Sequence, residues 1–286
     1  MRVAHLIMTH KEPFQLERLL RRLIFADFDL YVHLDKKVDI QQFLYLNKLP
    51  NVFFIRSRNI CNWGGFSFVY AIVESVREIL AKDANYDYIN LLSAQDYPLK
   101  SNDYIYNFLK EHRGKNFISY EKSGHSLWWE HAKSRYEKYH FTDINLKGRY
   151  IAQKIINFIF PKRRFPLSVE MYGSPNASWW MLTTSCLQHV LGILDQNKRL
   201  VSFMHLTWGA DEFLFPTLIM NSEMRKATVN NNYRFIQWSP GSANPDILSV
   251  DELTKLTSTP CLFARKFDCE NDSNILDAID DLLLKD

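Results

Sequence analysis

The amino-acid sequence predicts a three-layer α/β domain of Rossmann type with a mostly parallel central sheet. Over the first 120 residues, short strand-like apolar runs alternate with stretches of helical periodicity, which is the pattern of parallel strands covered by helices on both faces. The 286 residues are 47% hydrophobic and 23% charged with a net charge of +3, enough to bury a large core and outside the range of disordered chains.

The elements follow in order. Val3–Thr9 is a short apolar run ended by polar residues and reads as a buried strand. Pro13 stands where a first helical turn tolerates it, and Leu16, Leu19, Leu20, Leu23 and Ile24 follow at helical spacing. Leu30–Leu34 and Val52–Ile55 are the second and third strands, and a helix runs from Ser67 to Ala81. Tyr88–Leu92 is the fourth strand, Asn102–His112 a helix and Asn116–Ser119 a fifth strand. Between Tyr120 and Ser174 the pattern breaks into a stretch rich in Tyr, Trp, His, Lys and Arg, including Trp128, Trp129, Arg135 and Tyr136. Within it, Gly148–Leu167 is basic and amphipathic. It reads as a buried helix with a solvated Lys162–Arg164 end, or as a segment touching a membrane surface. Order returns with a strand at Ser178–Leu182, helices at Leu187–Leu194 and Asp211–Met220, strand-like Arg234–Trp238 and Leu262–Lys266, and a last helix at Asn274–Leu284. No repeat, low-complexity tract or linker divides the chain, so a single domain over residues 1–286 is expected.

Composition narrows the function. No apolar run approaches the roughly 20 residues of a membrane span, and Val3–Met8 is too short for a signal-peptide core. Cys61, Cys186, Cys261 and Cys269 show no metal-ligand spacing and are too few for a disulfide scaffold, which leads us to expect a reducing, cytoplasmic location. The basic excess is too small for a nucleic-acid partner. The 14 tyrosines, 20 phenylalanines and 7 tryptophans suit stacking on sugars or bases, although ordinary core packing accounts for most of them.

In open α/β sheets, ligands bind outside the carboxyl ends of the strands. Those ends carry Thr9 and His10, then Asp35, Lys36 and Lys37, then Ser93, Gln95 and Asp96. Each alone is a plausible turn or cap residue; together on one sheet edge they mark a crevice. Gly64 and Gly65, ahead of a helix, either bring backbone close to a phosphate or cap that helix. Dinucleotide, Walker A, zincin and nucleophile-elbow signatures are missing. The single Asp-x-Asp triplet, Asp27-Phe28-Asp29, precedes the second strand and reads as a solvated turn at the opposite end of the sheet. Arg234, Arg265 and Lys266 can neutralise a diphosphate, or form surface pairs such as Lys266 with Asp268. Glu212 follows Asp211 at a helix start. Either it caps the helix or it projects into an apolar site as a general base.

Several segments carry a resemblance: the first strand ending in Thr9-His10, Leu16-Glu17-Arg18-Leu19-Leu20, Tyr31-Val32-His33-Leu34-Asp35-Lys36-Lys37 and Trp63-Gly64-Gly65. Further on come Leu92-Ser93-Ala94-Gln95-Asp96-Tyr97-Pro98-Leu99, Ser178-Trp179-Trp180, Gly209-Ala210-Asp211-Glu212 and Phe263-Ala264-Arg265-Lys266-Phe267-Asp268. In this order, over nearly the whole chain, they resemble glycosyltransferase family 14, the core-2/I-branching N-acetylglucosaminyltransferases and peptide O-xylosyltransferases.

The resemblance implies a GT-A-like fold, a UDP-sugar donor carrying N-acetylglucosamine or xylose, and inverting transfer without a metal or other cofactor. It implies Glu212 as base, with Ala210 in place of the family's usual proline, and Arg234 and Lys266 on the diphosphate, where the residue reading adds Arg265. The Arg234 match rests on the local pattern Arg-Phe-Ile-Gln-Trp. His10, Asp35, Gly64, Gly65, Ser93 and Asp96 would hold the nucleotide and donor, and Arg135, Trp179, Trp180 and Asp211 the sugar or acceptor. Residues 1–120 become the nucleotide-sugar half and 121–286 the acceptor and catalytic half. A bacterial relative is expected, lacking the anchor and disulfides of the animal enzymes. It would act in surface-glycan synthesis on an oligosaccharide or lipid-linked acceptor, with peripheral membrane contact. Two other readings compete: a non-catalytic nucleotide-sugar or glycan-binding protein, and a metal-dependent phosphodiesterase built from Asp35, Asp96 and His10.

Overall fold

The computed structural model describes residues 1–82, 85–242 and 244–283. Its first half runs β1 (Val3–Thr9), α1 (Pro13–Arg22), β2 (Phe28–Leu34), β3 (Val52–Phe54), α2 (Phe66–Leu80), β4 (Tyr88–Ser93), β5 (Tyr97–Pro98), α3 (Asn102–Glu111) and β6 (Asn116–Ile118). The middle contributes β7 (Glu121–Lys122), α4 (Leu127–Ala132), α5 (Ser134–Glu137), α6 (Arg149–Ile159) and β8 (Tyr172–Gly173). Then come β9 (Met181–Thr183), α7 (Thr184–Gln196), α8 (Lys198–Met204), α9 (Leu214–Met220), β10 (Thr228–Asn230), β11 (Arg234–Ile236), α10 (Leu253–Ser258), β12 (Phe263–Arg265) and α11 (Asn274–Leu283).

Seven strands form the central sheet in the order β10-β6-β9-β4-β1-β2-β3. β9 is antiparallel to β4 and β6, and the other pairings are parallel. The expected mixed α/β architecture is therefore present. β1 shows why: every one of its residues is buried, and alternate side chains enter different cores. Ala4, Leu6 and Met8 pack with the apolar faces of α2, α7 and α9. Val3 and Ile7 pack with those of α1, α3 and α11. A second sheet, β11-β12-β5, lies beside the first and carries the basic residues near the C-terminus to the edge where β4 ends.

Local chemistry sets the boundaries. Pro13 opens α1, Ser101 caps α3 through the Tyr104 amide, and Thr183 caps α7 through the Cys186 amide. The cap of α2 comes from elsewhere: Asp143 accepts the Ser67 amide at 2.8 Å and the Ser67 hydroxyl at 2.6 Å.

Four sequence expectations are corrected here. Asp27-Phe28-Asp29 is not a solvated turn, because β2 starts at Phe28 and Asp29 is buried, accepting from Arg2 and Tyr86. The helix expected from Asp211 is split into a short 3-10 turn at Ala210–Glu212 and α9, with Phe213 at φ −141° between them. The strand placed at Ser178–Leu182 begins only at Met181. The Gly148–Leu167 segment holds a helix, but no residue of α6 is buried. Leu284, the predicted end of the last helix, lies outside the described residues. Among the described residues, no helix is long and apolar enough to cross a membrane.

Candidate active site

A cleft of about 990 Å³ opens at the carboxyl ends of β1, β2 and β4, at the upper end of the roughly 300–1,000 Å³ typical of small-molecule sites. From the first half of the chain it is bordered by His10, Lys11, His33, Asp35, Lys37, Gly64 and Ser93. From the second half come Arg135, Trp179, Asp211, Glu212, Arg265 and Lys266. Tryptophans 63, 128, 208 and 238 complete the walls.

Glu212 owes its position to the broken helix start. Gly209, at φ +61°, turns the chain into the 3-10 turn, and the Glu212 carbonyl accepts the Ser174 amide at 3.0 Å. A Cβ on Gly173 would lie 2.6 Å from that same carbonyl, so the end of β8 and the turn pack backbone to backbone. Burial pushes the Glu212 carboxyl up to about 8, and neighbouring Asp211 adds to the rise, while the Arg135 guanidinium, ion-paired to the carboxylate, opposes it. Arg135 is itself clamped between the rings of Trp208, 4.6 Å away, and Trp128, 5.2 Å away. Asp211 points elsewhere, accepting the Ser178 hydroxyl at 2.6 Å.

The basic wall comes from the second sheet. Arg265 is buried, with its guanidinium over the Trp179 ring at 4.2 Å and its Nε 3.4 Å from Asp96. Lys266, half-buried, follows it, and Lys11 stands close enough to depress it. Burial first, then Arg265 and Lys11, push the Lys266 ammonium below its usual range. Like charges held together in this way favour an anion between them.

The sequence reading needs three corrections of place. Arg234 does not border the cleft; its guanidinium is buried against Phe263 and donates to the Asn90 side chain and the Leu91 carbonyl of β4. Asp96 is also beneath the floor, accepting the Ser93 amide and hydroxyl and facing Arg265 as its counter-ion. Trp180 lies on the opposite side from Trp179 and packs on Phe215 in the core.

The remaining predicted residues are at the cleft or directly behind it. Asp35 accepts the Lys37 amide at 2.9 Å and the Cys61 amide at 3.3 Å, so its carboxylate both holds a turn and borders the cleft. His10 borders it, its imidazole depressed chiefly by burial and by Lys11. Gly65 backs onto Asp143, whose carboxylate fills the space a Cβ would need. At Gly64 (φ +71°) a Cβ would sit 2.2 Å from the Trp208 indole nitrogen. Gly64→Ala is therefore expected to lower Tm by about 3–6 °C and to weaken catalysis by displacing Trp208. Gly124→Ala is the control: it shares the left-handed backbone (φ +89°) but meets nothing within 4 Å, so it should lose stability without losing activity.

Some site residues had no assigned role in the sequence. His33 lies in β2, where its Nε2 accepts the Asn59 amide at 3.1 Å and its buried Nδ1 has no partner among the described residues. Trp208 could have been found as the aromatic residue directly before Gly209-Ala210-Asp211-Glu212, whereas Asp143 sits in an irregular stretch with no local signal.

Comparison with known proteins places this geometry. The family model described as Core-2/I-Branching enzyme matches residues 3–257, a span that includes Glu212 and ends before Arg265 and Lys266. Rat xylosyltransferase 2 is 24% identical over 98% of this chain and 33% of its own length. Beta-glucuronosyltransferase GlcAT14B of Arabidopsis thaliana is 27% identical over 99% of this chain and 66% of its own. The chain thus spans from about a third to two-thirds of the length of these curated relatives. Among solved structures, apo mouse xyloside xylosyltransferase 1 matches with a TM-score of 0.45 and 13% identity, covering 94% of this chain and 99% of that one. With the family model covering most of its length, the chain belongs to the Core-2/I-branching enzyme family, glycosyltransferase family 14.

Proposed function

We propose that this protein is an inverting glycosyltransferase that moves N-acetylglucosamine or xylose from a UDP-sugar to a saccharide hydroxyl. The observation that carries the reading is one cleft holding a carboxyl raised by burial, Glu212, together with the cations Arg265 and Lys266. The acceptor hydroxyl gives its proton to Glu212 while attacking the anomeric carbon. The bond to UDP breaks on the opposite face, and Arg265 with Lys266 stabilises the charge gathering on the diphosphate. Fixed guanidinium and ammonium groups do this electrostatic work, so we propose that no divalent metal is required. In this scheme residues 1–120 supply the nucleotide side and residues 121–286 the base and acceptor side. The setting we propose is bacterial surface-glycan assembly at the cytoplasmic face of a membrane, on an oligosaccharide or lipid-linked acceptor.

The placement of two of its three residues favours the transferase over the phosphodiesterase alternative. Asp96 is engaged beneath Arg265 and Asp35 in its turn, and neither falls in a metal-compatible cluster among the described residues. The cluster that does occur, Glu12, Asp268 and Glu270, lies where the Lys11 ammonium pairs with Glu12 and, at 3.0 Å, with Asp268.

The test is UDP release and direct donor binding over a panel of UDP-sugars with EDTA throughout. Turnover of one donor in chelator supports the reading and names the sugar. Binding of a donor with no turnover over an acceptor panel favours a binding protein instead, and no binding of any UDP-sugar overturns the proposal.

The raised carboxyl adds a pH prediction. Glu212 accepts a proton only when ionised, so kcat/KM should climb with pH along an acidic limb centred near 8 rather than in the ordinary carboxylate range. Arg135→Gln should move that limb to still higher pH, because the guanidinium is what holds the carboxyl down. A limb below pH 6 in the wild type would contradict a Glu212 carboxyl raised by burial.

A further inference from the structure

Helix α6 is attached to the protein by its polar side. Gln153 accepts the Phe141 amide at 2.8 Å, and Asn157 both accepts the Tyr139 amide and donates to the Tyr139 carbonyl, each at 2.8 Å. Arg149 donates to the Ile144 carbonyl at 2.7 Å. The opposite side is apolar and bare. Ile151, Ile155, Phe158 and Ile159 are spaced i, i+4, i+7 and i+8, a stripe of roughly 100° of arc. Their exposures are 68, 53, 91 and 66%, and Leu146, Tyr150 and Phe160 extend the exposed apolar surface at its ends. A helix on a soluble protein ordinarily turns such a stripe inward. Here the hydrogen bonds of the polar side hold it outward.

The charge around the stripe is of one sign. Between Asp143 and Glu170 the sequence has no acidic residue but six basic ones: Lys147, Arg149, Lys154, Lys162, Arg163 and Arg164. Lys147, Lys154 and Arg164 are exposed and form no ion pair among the described residues. An apolar stripe flanked by unpaired cations is the pattern of a helix lying in the plane of a lipid surface, with its apolar side among the acyl chains and its cations at anionic headgroups. The helix has 11 residues, roughly 16 Å, which suits lying in that plane and not crossing it.

We infer that the outward face of α6 seats the protein on an anionic lipid bilayer. The surface is joined to the cleft. Residues 135–143, which pin α6 through Tyr139 and Phe141, also supply Arg135 beside Glu212 and Asp143 behind Gly65. An acceptor carried on a lipid would therefore be delivered next to the base, which deepens the proposed function and rests on it for that consequence alone.

The test needs no catalysis. The full chain is sedimented with vesicles of phosphatidylcholine containing phosphatidylglycerol, and with phosphatidylcholine alone, at low and high salt. Preferential, salt-sensitive binding to the anionic vesicles is expected. Phe158→Asp and Ile155→Asp, both at exposed positions, should weaken it on the order of tenfold or more, and Lys154→Ala roughly fivefold, with unchanged thermal melts. Absence of vesicle binding, or binding indifferent to these substitutions, overturns the inference. So does a concentration-dependent dimer in sedimentation velocity that Phe158→Asp abolishes without any vesicle binding, since the face would then join two copies of the chain. None of these outcomes depends on whether a UDP-sugar is turned over.

Discussion

Glu212→Gln is expected to lower sugar transfer by about 10²–10⁴-fold while leaving UDP-sugar affinity within a few-fold of wild type. The substitution keeps the shape of the side chain, and the backbone bond from the Ser174 amide to the residue 212 carbonyl does not depend on the side chain. What disappears is the capacity to take a proton. An amide cannot do so, and the attacking hydroxyl must then lose its proton to water. The same variant should abolish the acidic limb near pH 8, because the titrating group is gone. Donor binding can be followed on the same samples by tryptophan fluorescence, since Trp63, Trp128, Trp179, Trp208 and Trp238 all border the cleft. Loss of binding in parallel with loss of rate would make Glu212 a donor ligand instead of the base. Retention of rate would remove it from the chemistry altogether.

What could be read from the sequence, and what could not, divides along a physical line. β1, α1, β2, α2, β4 and α3 come from continuous local patterns, apolar runs or leucines at helical spacing, and their residues appear where those patterns put them. The cleft edge follows from the same logic, since His10, Asp35 and Ser93 are strand-end residues of a parallel sheet. The failures are cases where a hydrogen-bond or packing partner that periodicity does not encode decides. Arg234 has the right chemistry for a phosphate, yet Asn90 and the Leu91 carbonyl, across the sheet, draw its guanidinium into the core. Asp96 is drawn beneath the floor by Ser93 and Arg265, and Trp180 packs on Phe215 in the core while its neighbour Trp179 borders the cleft. The helix α6 was legible as amphipathic, but periodicity alone does not say which side faces the protein. Gln153 and Asn157 decide that, by bonding to backbone that no pattern in the helix reveals.

Lys266→Ala is expected to slow transfer by about 10²–10³-fold, corresponding to roughly 3–4 kcal/mol, the scale of a lost oxyanion donor. Lys266 is the clean test of the basic wall, and Arg265 is not. Arg265 is buried on Trp179 with Asp96 as its counter-ion, so removing it leaves a buried carboxylate unpaired, at a cost of about 3–5 kcal/mol in stability that would obscure any catalytic effect. Lys266 is half-exposed and forms no ion pair among the described residues, so its loss leaves no buried charge uncompensated. A cation that acts on the departing diphosphate gains most as charge accumulates there. Its removal should therefore fall on kcat more than on KM. The depressed state of the ammonium adds a second signature. Burial, Arg265 and Lys11 lower its proton affinity in the free enzyme, and a bound diphosphate raises it again, so UDP binding should take up a proton at pH values where the free lysine is partly deprotonated. UDP affinity should then weaken as the pH rises through the titration of the free enzyme's lysine, and Lys266→Ala should flatten that dependence. Calorimetry in buffers of different ionisation enthalpy measures the proton directly. A variant with unchanged kcat would take Lys266 out of leaving-group stabilisation and leave the task to Arg265 alone.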